Sequence, residues 1–72
     1  LSDLYVYAED RPGELLSIVS TLYNASINIK DIELLKIREG TGGAFRIGFA
    51  DEEAANRSAE VLSGAGYTAY RL

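Results

Sequence analysis

Residues 4–23 change their apolar spacing partway, from every second residue to every third or fourth, and few folds accept that change there. Leu4, Val6 and Ala8 alternate with Tyr5 and Tyr7, the pattern of a strand whose side chains leave opposite faces of a sheet. Both sets are apolar, which places the strand in the middle of its sheet. Beyond Asp10-Arg11-Pro12-Gly13, Leu15, Ile18, Val19, Leu22 and Tyr23 recur at helical spacing as one buried stripe, leaving Ser17, Ser20, Thr21 and Asn24 toward water. Pro12, with its fixed φ and missing N–H, suits the first turn of that helix. Gly13 lets a neighbour approach closely, and the next amides, those of Glu14 and Leu15, would point outward, where a carboxylate is welcome. The same four residues also suffice as a plain connection and cap.

Asn24 and Ser26 are stop signals for the first helix. Residues 27–39 read as a lead-in followed by a long strand. Ile27 and Ile29 have one parity and Ile32 and Leu34 the other, so a bulge or bend is expected near Lys30 and Asp31. Gly40, Thr41, Gly42 and Gly43 form a hairpin connection. Phe45, Ile47 and Phe49 alternate with Ala44, Arg46, Gly48 and Ala50, giving a third strand with its bulky face inward. Asp51 is a natural N-cap, Glu52 and Glu53 suit the positive end of a helix, and Ala55, Ser58, Ala59 and Leu62, widened by Val61, continue a buried stripe. Gly64 and Gly66 close that helix, and residues 67–72 read as a last strand. The order βαββαβ makes a ferredoxin-like α+β sandwich, four antiparallel strands with both helices on one face. The other face then leaves Tyr5 and Tyr7, or the set opposite them, exposed in a lone monomer, and exposed apolar surface marks a partner.

At 72 residues the chain is a single domain, of a size that buries only about 60 per cent of its unfolded surface, so self-association would help it. It opens at Leu1 without Met, and we expect a module cut from a longer protein. Seven basic residues against eleven acidic ones, scattered along the chain, make no footprint for nucleic acid. The absence of Cys and His removes thiolate chemistry and the commonest metal ligand and neutral-pH base. No apolar run is long enough to cross a bilayer, and a cytoplasmic setting is expected.

Three chemistries of this fold fit poorly. The small phosphatases of the acylphosphatase family use a glycine-rich phosphate loop with an Arg and an Asn, and residues 9–13 match it in neither spacing nor composition. Arg11 with Asn28 is the one pair that could be pressed into that service, and no base or nucleophile accompanies it. Stacking of RNA bases on Tyr5, Tyr7, Phe45 and Phe49 founders because Phe45 and Phe49 share parity with the core and basic residues are few. Copper carriage needs paired cysteines. Small-molecule sensing fits better: a helix N-terminus, a close-approach glycine and a polar Asn28 on the neighbouring strand together suit a zwitterion.

The strand ending at Glu9, then Asp10-Arg11-Pro12-Gly13, then Leu15, Leu16, Ile18 and Leu22, then Ile27-Asn28-Ile29, resembles the ACT domain family over essentially the whole chain. Residues 27–39, Phe45-Arg46-Ile47-Gly48-Phe49 and Gly66-Tyr67 look most like the ACT domains at the C-termini of prephenate dehydrogenases. The resemblance implies a regulatory domain that pairs with a second copy and binds an amino acid at the shared interface. It implies an effector pocket of Asp10, Arg11, Pro12, Gly13, Glu14 and Leu15, completed by Asn28 and Ile29. It further implies a parent enzyme whose catalytic domains use NAD, with no cofactor, metal or catalytic residue in this domain, and a response to tyrosine or a related aromatic amino acid. Serine-sensing relatives carry a His and an Asn at the turn, where this chain has Glu9, Asp10 and Arg11. Many relatives serve chiefly to join subunits, and that role, or service in a different enzyme of amino-acid metabolism, is the alternative for this chain.

Overall fold

The computed structural model describes residues 2–38 and 42–71, with 36–38 described through their backbone alone. The elements follow the expected order: β1 (Ser2–Ala8), α1 (Glu14–Asn24), β2 (Asp31–Arg38), β3 (Gly42–Phe49), α2 (Glu52–Gly64) and β4 (Ala69–Tyr70). The sheet order is β2-β3-β1-β4, with every neighbouring pair antiparallel.

The core is the meeting of the two bulky strand faces with both helices. Leu4, Val6 and Ala8 of β1 and Phe45, Ile47 and Phe49 of β3 are buried with Ile18 and Leu22 of α1 and Ala55 and Leu62 of α2, so both helices lie on one side of the sheet. At about 25 cal/mol per Å² of apolar surface, burial of such side chains is the main favourable term in a domain this small. The expected stripe of α1 is displaced at its ends. Leu15 is 45% exposed and Tyr23 78%, while Glu14, Ile18 and Leu22 face inward. An 11-residue helix buries one narrow line of side chains, Glu14, Ile18 and Leu22, and at about 100° per residue Leu15 and Tyr23 both fall on the same flank of it.

Both helices stop by the same device. Ser26 N–H donates to Tyr23 O at 2.9 Å and Ile27 N–H to Leu22 O at 3.0 Å; Gly66 N–H donates to Ser63 O at 3.1 Å and Tyr67 N–H to Leu62 O at 3.0 Å. These are paired Schellman closures, which need a left-handed residue. Gly66 supplies it at φ 98° and Ser26 at φ 61°, so the left-handed position after α1 falls on Ser26 rather than Asn24. The Asp51 cap is as expected, its carboxylate accepting the Ala54 N–H at 2.8 Å.

Three expectations need correction. No bulge lies at Lys30 and Asp31: residues 27–30 are irregular, Lys30 N–H bonds Gly48 O at 2.9 Å, and the strand simply begins in its new phase. The register shift lies between Leu34 and Lys36. The expected hairpin connection is shorter, because Gly42 and Gly43 already pair in β3; Gly40 and Thr41 lie outside the described residues. A Cβ at Gly42 would stand 2.6 Å from Ala8 O, so glycine is required there by close strand approach as well as by φ 76°. Finally, β4 is two residues long. Tyr67 is spent closing α2 and packs on the core, and only Thr68 O extends the ladder by accepting Tyr7 N–H. Leu72 lies outside the described residues.

The open sheet face is not simply aromatic. Tyr5 stacks on Tyr70 with ring centroids 5.8 Å apart and Tyr7 is exposed, but Arg46 beside them holds Asp3 at 3.1 Å, Asp31 at 2.5 Å and Glu33 at 3.0 Å. On α2, Glu52 accepts Ser2 Oγ–H at 2.6 Å and Arg71 Nη2–H at 2.8 Å.

Candidate functional site

The link from β1 to α1 is a tight turn. Arg11-Pro12-Gly13-Glu14 closes through Glu14 N–H to Arg11 O at 3.4 Å, and Gly13 at φ 82°, ψ −3° has the third-residue conformation of a type II turn. Pro12 takes the second position, which its ring favours. It therefore precedes the N-cap, Gly13, instead of sitting in the helix's first turn. Glu14 N–H is used by the turn, so the amides without an intrahelical partner begin with Leu15 and Leu16.

Glu14 organises the turn with its side chain. Its carboxylate, only 7% exposed, accepts Glu9 N–H at 3.0 Å on Oε2 and Arg11 Nε–H at 3.1 Å on Oε1. Arg11 also reaches Glu9 Oε2 at 3.5 Å. The hydrogen bond to Glu14, then the charge of Glu9, hold the guanidinium above its ordinary pKa, so it stays charged.

Beside this turn a groove of about 780 Å³ opens between α1 and β2. Leu15, Leu16 and Val19 form its α1 wall, Ile32 and Leu34 its β2 wall, and Phe45 also lines it. Its polar end carries Glu9, Asp10, Arg11, Gly13 and Glu14. Such a shape offers an apolar trough to a side chain, and charges of both signs to a zwitterion's head. Among the described residues no group of three or more acidic side chains is placed to hold a metal ion.

The structure thus brings Asp10, Arg11, Gly13, Glu14 and Leu15 together, with Pro12 shaping the turn behind them. Asn28 and Ile29 are elsewhere in the same chain. Asn28 is exposed past the C-terminal end of α1, where it lines two smaller clefts, one with Tyr23 and Asn24, the other with Asp51 and Arg57. Ile29 packs against the core. Leu16, Val19, Ile32, Leu34 and Phe45 were missed as groove residues; the change of phase before Ile32 and Leu34 was their signal, since it turns both toward the helix side.

A four-stranded antiparallel sheet with two helices on one face defines a small ferredoxin-like α+β domain, here with a ligand-sized groove beside its first strand–helix turn. No protein-family model matches the chain. Among solved structures, the ACT domain of prephenate dehydrogenase from Bacillus anthracis aligns with a TM-score of 0.85 and 35% identity, over 94% of this chain and 99% of that one. The chain belongs to the ACT domain family, a regulatory fold and not a catalytic one. No described helix is long and apolar enough to cross a membrane.

Proposed function

We propose that this chain is the amino-acid-sensing ACT domain of a cytoplasmic, NAD-dependent prephenate dehydrogenase of tyrosine biosynthesis. In this reading it binds tyrosine or another aromatic amino acid in the groove between α1 and β2. The observation that carries the reading is the groove's division into an apolar trough and a charged end at the turn. An aromatic ring would lie on Leu15, Val19, Ile32 and Leu34. The amino group would meet the carboxylates of Glu9 and Asp10, and the carboxylate would meet Arg11 and the amides of Leu15 and Leu16. A ligand that binds one packing of paired domains better than another shifts the population between them, which is how the signal would leave the domain.

A thermal-shift panel of amino acids with calorimetry tests it. A ligand at about 100 times its Kd stabilises the fold by roughly 2.7 kcal/mol, so an aromatic amino acid at millimolar level should raise the midpoint by several degrees. If none does, sensing is excluded and the domain is a subunit-joining module. The exposure of Leu16 at 70%, Leu34 at 51% and Leu35 at 46% favours that second reading.

A further inference from the structure

We propose that the groove between α1 and β2 reads the ammonium of its ligand and not the carboxylate, a specificity that rests on the sensing reading above and narrows it. The ligand class is then the arylalkylammonium ions. An aromatic amino acid is one member of that class, and the acid of the same skeleton without its amine is outside it.

The groups at the turn that would hold a carboxylate are the start of α1 and Arg11, and the chain already supplies both with carboxylates of its own. Glu14, the first residue of α1, is only 7% exposed, and its negative charge offsets the positive end of the helix. The same carboxylate accepts Arg11 Nε–H at 3.1 Å, and Glu9 Oε2 stands 3.5 Å from Nη2 of that guanidinium. An incoming carboxylate therefore finds Arg11 between two others and must displace one or share it, which returns little for the water it gives up.

A cation meets the opposite situation. Among the described residues that line the groove, Glu9, Asp10 and Glu14 stand against Arg11 alone, three formal negative charges against one positive. Glu14 is engaged by Arg11 and the Glu9 amide, so the excess is carried by Glu9 and Asp10, both exposed at the lip. Charge alone would draw in any cation, and the walls choose among them. Leu15, Leu16, Val19, Ile32, Leu34 and Phe45 offer no side-chain donor or acceptor, and about 780 Å³ admits an aromatic ring on a short alkyl chain. An ammonium at the turn with its ring along these walls meets both conditions, whereas an inorganic cation meets only the first. The domain would thereby tell an aromatic amino acid from the oxo acid of the same skeleton, because the two differ at the ammonium.

Calorimetry of the 72-residue chain with three probes that share one ring tests this: tyrosine; tyramine, which lacks the carboxylate; and hydroxyphenylpropionate, which lacks the ammonium. Tyramine should bind within about threefold of tyrosine or more tightly, and hydroxyphenylpropionate at least about tenfold more weakly than tyramine. Tyrosine binding that is tighter than tyramine by more than about threefold, or hydroxyphenylpropionate within about tenfold of tyramine, overturns the ammonium preference and leaves the sensing role standing where tyrosine binds. Tyramine binding without tyrosine or any other aromatic amino acid sinks the sensing role alone, and silence from every probe overturns both. The double variant Glu9→Gln, Asp10→Asn removes the two excess charges, so its preference for tyramine over hydroxyphenylpropionate should shrink to about threefold or less, and a larger one overturns the proposal. Should that variant lose the parent's circular dichroism, salt decides on the unmodified chain. Raising it from about 50 mM to about 500 mM shortens the reach of exposed charges and should weaken tyramine binding by about threefold or more, and a smaller change overturns the proposal.

Discussion

Glu14 accepts the backbone N–H of Glu9 at 3.0 Å, so the first residue of α1 holds the end of β1 in place. The carboxylate is buried and carries Arg11 on its other oxygen. Glu14→Ala would leave the Glu9 amide without its acceptor, at a cost of about 1–3 kcal/mol. Glu14→Gln keeps an acceptor but loses the charge and should cost less. Chemical denaturation measures both, and equal losses would mean that the charge pairing with Arg11, and not the hydrogen bond from Glu9, carries the stability.

Gly13 offers a cleaner separation of conformation from space. Nothing lies within 4 Å of a Cβ built there, yet its φ is 82°. Gly13→Ala should cost about 1 kcal/mol through backbone strain alone, and Gly13→Asn less, because Asn tolerates this region. A bulky replacement should weaken effector binding by more than it weakens dimerisation. Equal losses would show the turn to be structural only.

Ser26 occupies the left-handed position at φ 61° that Gly66 fills after α2. Ser26→Gly should stabilise the domain by roughly 0.5–1 kcal/mol, the relief of strain exceeding the added freedom of the unfolded chain. A melting temperature no higher than that of the parent chain would contradict this.

Ser58 sits on α2 at 0% exposure, and its hydroxyl has no hydrogen-bond partner among the described residues. Ser58→Ala removes an unsatisfied group without opening much space and should stabilise by up to about 1 kcal/mol. Destabilisation would reveal a partner for the hydroxyl.

Asp31 lies below the ordinary carboxylate range, first through the hydrogen bond from Arg46, and Glu52 likewise through Ser2 and then Arg71. A carboxyl whose pKa is lower folded than unfolded stabilises the fold above its unfolded value of about 4, and that contribution disappears as pH falls through the folded value. Stability should hold from neutral pH to about 5 and decline in more acid solution. Arg46→Gln should make the decline shallower by removing the cause at Asp31, as urea midpoints against pH will report.

Much of this was legible because periodicity reports burial directly: Leu4, Val6 and Ala8, and Phe45, Ile47 and Phe49, are core because they alternate, and Asp51 caps because its carboxylate needs only the next turn. What escaped depends on distances the sequence does not carry. Tyr67 reads as strand by composition, but its amide is taken by Leu62 O. Arg46 looks like a lone surface charge until register sets Glu33 across from it. The turn at Asp10 and the lead-in at Asn28 were expected to form one site, yet the length of α1 separates them, a distance that spacing along the chain does not carry.

Glu52 takes the hydroxyl of Ser2 and the guanidinium of Arg71 on one carboxylate. Ser2 and Arg71, far apart in sequence, are therefore held side by side at the start of α2. Segments attached at these two residues would depart side by side, both held to the start of one helix. A circular permutant that joins Arg71 to Ser2 by a short linker and opens elsewhere keeps that clasp, which makes the domain a cassette that a host chain could carry in a loop.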